Sequence, residues 1–145
     1  MSFAFAGGGI FKHKLKLLAE QYKSVQYFGS IEANKAAQLN ADYQWALLPI
    51  EDGVTRYAFP SKSSSYAVSG ALILAICGEN TSVAHWIRSN RLGLVIKPNV
   101  KALVAAFKEI EFDELNIDEF DMSRTKLKQR LNFDTFISNI KKYII

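Results

Sequence analysis

Five short apolar segments alternate with five segments of helical spacing along the first 110 residues. The apolar segments are Ser2–Ala6, Ser24–Phe28, Tyr43–Pro49, Ala71–Cys77 and Leu94–Lys97. Between and after them come Phe11–Tyr22, Glu32–Asn40, Ser61–Ser69, Ser82–Asn90 and Val100–Ile110, each able to form a helix. Parallel strands need a crossover of this length, usually a helix. The alternation therefore predicts an α/β fold of three layers, a mostly parallel sheet with helices on both faces. Tyr43–Pro49 is nearly all apolar, as a strand buried on both faces should be. Sheets of this type receive ligands outside the carboxyl ends of their strands.

Glycine and proline mark the boundaries. Gly7-Gly8-Gly9 ends the first strand and Gly29 the second. Pro60 opens the third helix and Gly70 closes it, and Pro98 stops the last strand. Leu15, Leu18, Ala19 and Tyr22 give the first helix one apolar face; Leu103, Val104 and Phe107 do the same for the fifth. Glu51–Phe59 reads as a loop. Glu109–Asp121 holds seven of the fourteen carboxylates, which fits a solvated loop better than an acidic catalyst. Met122–Ile145 reads as one or two helices with Leu127, Leu131, Phe136, Ile137 and Ile140 as apolar residues. The organisation expected is a sheet domain over 1–121 and a closing helical segment over 122–145.

With 145 residues, about half of them apolar, one domain with a true core is expected. A net charge of +4 and the lack of alternating basic and aromatic residues argue against a nucleic-acid partner. The mild basic excess suits phosphorylated ligands or an acidic membrane face, and a plain globular protein as well. Cys77 is alone and reads as a small buried strand residue, which points to a reducing compartment. The N-terminus lacks the order of a secretory signal, and no apolar run reaches the ~18 residues of a spanning helix. The expected location is the cytoplasm, free or peripheral at the inner face of the membrane.

Two segments carry the candidate chemistry. Gly7, Gly8 and Gly9, between a strand and a helix, allow either close approach of a ligand to the backbone or a simple tight turn. They do not match the dinucleotide fingerprint, whose last glycine falls on Lys12 here. Pro60 is followed by Ser61, Lys62, Ser63, Ser64 and Ser65 at a predicted helix start. Serines there cap free N–H groups, and with a lysine and the helix dipole they also suit a diphosphate. Both readings stay open. Glu79, after Gly78 at a strand's carboxyl end, fits a ligand contact or a helix first turn equally well. His13 lies among lysines and His85 beside Trp86, with no partner at metal-ligand spacing. No nucleophile elbow, serine–histidine arrangement or zinc spacing is present.

The run Pro60-Ser61-Lys62, Tyr66, Gly70, an apolar strand, Gly78-Glu79-Asn80, a helix and Leu92-Gly93-Leu94-Val95-Ile96 resembles the donor-binding domain of GT-B glycosyltransferases. The resemblance is to the bacterial polysaccharide enzymes with a proline-serine-lysine step. Phe5 through Gly9, Val25 through Gly29, Asp42 through Pro49 and the final helices from Phe133 to Ile144 follow the same order, so it spans nearly the whole chain. It implies a Rossmann-like domain and a nucleotide-diphosphate sugar as substrate, with no other cofactor and no metal. Ser61, Lys62, Ser63, Ser64 and Ser65 would hold the diphosphate. Gly7, Gly8, Gly9, Phe28, Gly29, Ser30, Ile31, Glu79 and Asn80 would lie near the donor. The acceptor, a polysaccharide or lipid-linked sugar, would be held by a second, N-terminal domain, and part of this domain would precede Met1. No catalytic residue is assigned, and the chain alone is expected to be inactive. Ser65 stands where relatives carry a ribose-binding glutamate and Tyr57 where they carry a second glutamate of that motif, and Gly70-Ala71-Leu72 lacks the usual turn proline. These departures favour the alternative, a noncatalytic nucleotide-binding or protein-interaction module of similar fold. A receiver-type domain is disfavoured, since Gly7-Gly8-Gly9 and Pro49-Ile50-Glu51 replace its clustered aspartates.

Overall fold

The computed structural model describes residues 1–55, 57–112, 118–130 and 132–144. The chain forms two compact units, Met1–Leu39 and Asn40–Ile145. The closing helices fall within the second unit.

The first unit holds β1 (Phe3–Phe5), α1 (Lys12–Gln21), β2 (Val25–Tyr27) and most of α2 (Ala33–Asp42). β1 and β2 pair in parallel, Phe3 opposite Val25 and Phe5 opposite Tyr27. α1 is the crossover and packs on β2. Leu15 and Ala19 are half-buried, whereas Leu18 and Tyr22 stay 40% and 48% exposed. The expected apolar face is thus only partly used, because two three-residue strands offer little surface to cover it.

The second unit holds β3 (Trp45–Pro49), α3 (Asp52–Thr55), α4 (Ser61–Ser69), β4 (Leu72–Ile76), α5 (Ser82–Ser89), β5 (Gly93–Ile96), α6 (Val100–Glu111), α7 (Asp118–Arg130) and α8 (Phe133–Ile144). Its sheet has the order β3-β4-β5, all parallel, with Leu47 opposite Leu74 and Leu74 opposite Leu94. Each strand pairs with its successor, so right-handed crossovers put α4 and α5 on the same face. One core confirms this: Ile73, Ala75 and Cys77 point to that face and pack with Ala67 of α4 and Val83, Ala84 and Ile87 of α5. Leu127 of α7 joins the same core.

Some local expectations change. The paired strands form a two-stranded and a three-stranded sheet. Central β4 is the strand buried on both faces, with Leu72, Ile73, Leu74 and Ala75 fully inaccessible. β3 lies at the edge, and only its Leu48 is buried. Glu51–Phe59 contains the one-turn helix α3. Within Glu109–Asp121, α6 runs on to Glu111 and α7 starts at Asp118; 113–117 lie outside the described residues. Met122–Ile145 contributes two helices. Leu131 and the side chain of Phe136 lie outside the described residues. Among the described residues, no helix is long and apolar enough to cross a membrane.

Candidate functional site

In the second unit a cavity of about 380 Å³ opens beyond the carboxyl end of β4. It is lined by Asp52 and Thr55 of α3 and by the segment Gly78–Ser82, which leads from β4 into α5. The volume lies within the range of small-ligand sites.

The sequence builds this cavity from local bonds. Thr81 is the N-cap of α5: its Oγ1 accepts from the Ala84 N–H at 3.2 Å and donates to the Gly78 carbonyl at 2.9 Å. The Cys77 Sγ lies 3.4 Å from the same oxygen. The turn is therefore fixed from within, and Thr81 is almost fully buried. Gly78 donates its N–H to Asp52 Oδ1 at 2.6 Å. A Cβ at position 78 would run into that carboxylate, so with any other residue there the exposed Asp52 side chain would have to swing aside. Thr55 Oγ1 donates to the Asp52 carbonyl at 2.8 Å, and Ser82 Oγ donates to the Thr55 carbonyl at 3.3 Å. The Asp52 and Ser82 bonds thus hold α3 to the turn after β4 and to the start of α5. On the rim Arg88 donates to the Glu79 carbonyl at 3.1 Å, and Lys97 Nζ lies 3.8 Å from Glu79 Oε1.

Among the described residues the lining carries two carboxylates, an amide and three hydroxyls, and no cationic side chain. Such a surface accepts hydrogen bonds from neutral hydroxyl groups. The Gly78 N–H, which an anion would seek, is already held by Asp52.

The helix start at Ser61 is a separate feature. A helix joining two parallel strands runs back along the sheet, so the α4 N-terminus lies at the same carboxyl edge. Phe59, just before it, packs edge-on against Trp86 of α5, with centroids 5.3 Å apart. Ser63 is buried and donates to the Pro60 carbonyl at 2.6 Å; Ser65 donates to the Ser61 carbonyl at 3.3 Å. Pro60 provides no side-chain cap. Ser61 and Lys62 are exposed and Ser64 is half-buried, and these three have no side-chain partner among the described residues. None of the five lines the cavity.

In the first unit the glycine turn and the second strand end come together. The Gly7 N–H donates to the Gly29 carbonyl at 2.6 Å, and Tyr27 donates its hydroxyl proton to the Gly7 carbonyl at 2.8 Å. Ser30 Oγ faces Gly8 closely enough to press on any side chain there. Gly7, Gly9 and Gly29 have φ of 131°, 120° and 65°. The turn needs glycine for its own backbone, with or without a ligand. Phe28 is 47% exposed beside it, and Ile31 is half-buried.

Glu79 and Asn80 line the cavity. Asp52, Thr55, Thr81 and Ser82 line it too, beyond the sequence expectation. Thr81, a threonine three residues before Ala84 at a helix start, carries a capping signal. Asp52 carries none, because its partner lies 26 residues away. Among the described residues no cluster of histidine, cysteine or carboxylate side chains is arranged to hold a metal ion. Comparison of the chain with protein-family models, curated proteins and solved structures gave no match.

Proposed function

We propose that this chain is the donor-binding domain of a GT-B glycosyltransferase with a Rossmann-like fold, and that it binds a nucleotide-diphosphate sugar at the carboxyl edge of β3-β4-β5. One observation carries the reading: a polar cavity and the uncapped start of α4 open on the same edge of a parallel sheet. Open α/β sheets hold ligands in that position. The two features suit different parts of one ligand. Ser61, Lys62 and Ser64 supply hydroxyls, a cation and the positive end of a helix dipole to a diphosphate. The cavity supplies acceptors to hydroxyl groups.

In the reaction, negative charge builds on the diphosphate as the glycosyl bond breaks. Donors already in place at the α4 start would stabilise that charge. No side chain in the cavity is assigned as a general base, and the acceptor would be bound by a second domain. The chain alone is therefore expected to bind donor without transferring sugar.

Calorimetry with UDP, GDP and their sugar conjugates tests this. Heat of binding with one nucleotide series is expected, and Lys62→Ala should weaken that binding about twofold to fivefold, the worth of one exposed ion pair. No heat with any nucleotide would favour the second reading, a noncatalytic interaction module. The Asp52 carboxylate on the Gly78 N–H gives that reading its support, since it fills an anion-seeking group with protein.

A further inference from the structure

The charges around the cavity bear on which sugars it can take. Asp52 and Glu79 both line it, one from α3 and one from the turn after β4, and the Gly78 N–H holds the Asp52 carboxylate against that turn. Glu79 pairs with Lys97 at 3.8 Å; both side chains are more than half exposed, so water screens the pair. Arg88 binds the Glu79 backbone carbonyl and leaves its carboxylate free of that guanidinium. Asp52 is held in place by the Gly78 N–H, which a neutral amide donor neutralises only in part. The remaining lining side chains, those of Thr55, Asn80, Thr81 and Ser82, are uncharged.

We infer that the cavity selects an uncharged sugar and rejects an acidic one. The inference rests on the proposed donor-binding reading and adds the class of sugar to it. A hexose offers hydroxyl protons that both carboxylates can accept. A uronic acid would bring a third negative charge beside Asp52 and Glu79, with no cation among the described lining residues to meet it. Water weakens this repulsion as it weakens the Lys97 pair, but two carboxylates against one added charge are expected to reduce affinity about tenfold or more.

The test is calorimetric titration of the full chain with two matched pairs, UDP-glucose against UDP-glucuronate and GDP-mannose against GDP-mannuronate. In whichever series binds, the uncharged sugar is expected to bind at least about tenfold tighter than its acid. The variant carrying Glu79→Gln and Asp52→Asn should bind the two members of the pair within about threefold of each other. Both changes keep the side-chain shape, and in Asp52→Asn the new amide oxygen can still accept from the Gly78 N–H; far-ultraviolet circular dichroism verifies the fold. Equal or tighter binding of the acidic sugar overturns this inference and leaves the donor-binding reading standing. Discrimination that persists in the double variant also overturns it. Absence of binding in both series overturns the reading and the inference together.

Discussion

Gly78 and Thr81 line the cavity, and their hydrogen bonds fix the turn after β4. Gly78→Ala pushes its Cβ against Asp52. The exposed carboxylate can swing aside, so the variant should lose about 1 kcal/mol, the net worth of the hydrogen bond given up. Urea unfolding measures it. Thr81→Ala removes the cap of α5 and should cost about 1 kcal/mol. Tyr66 of α4 packs partly against the core, and burial raises its hydroxyl pKa above the ordinary 10.0. The folded chain then holds a proton that the unfolded chain has already lost. Stability should be intact below pH 10 and decline as pH rises beyond it. Tyr66→Phe should unfold with a smaller dependence on pH above 10, and unfolding curves at pH 9 and pH 11 decide the matter.

Among the elements, α4 was legible in its full extent because Pro60 and Gly70 punctuate it. Gly70 takes φ 91° at its end, a conformation that the glycine makes easy. The helix α3 was not legible: four residues are too few for a period, so Glu51–Phe59 looks like a loop. The burial of Tyr43–Pro49 is overestimated from sequence because apolar content cannot tell an edge strand from a central one. β4, just as apolar, is the one enclosed. Gly93 shows how tightly β5 lies on it. Its φ is 146°, and a Cβ there would meet the backbone of Ile73. Gly93→Ala should therefore separate β5 from β4 and cost more than about 3 kcal/mol, a loss that thermal unfolding would register. The candidate site was legible only in part. Glu79 and Asn80 follow a strand and could be found by position. Asp52 meets Gly78 only through the fold.

For the whole molecule, the two units differ in what holds them together. Every described residue below 9% exposure lies between Leu48 and Leu127, in the second unit. The first unit has half-buried strands and an exposed row of Ile10, Phe11 and Leu17 around the start of α1. Local opening follows burial and backbone exposure. Amide exchange should thus be slowest in β4 and much faster in β1 and β2. The function proposed needs the better-buried unit, where fixed turns present the cavity and the α4 start at one edge. The most direct test is a titration of ¹⁵N-labelled protein with UDP-glucose and GDP-mannose, followed by amide chemical shifts. One of the two donors is predicted to shift the amides of Ser61–Ser65 and Gly78–Ser82 together, saturating as a single site. Saturation that moves neither segment, or no shift with either donor, would contradict the assignment.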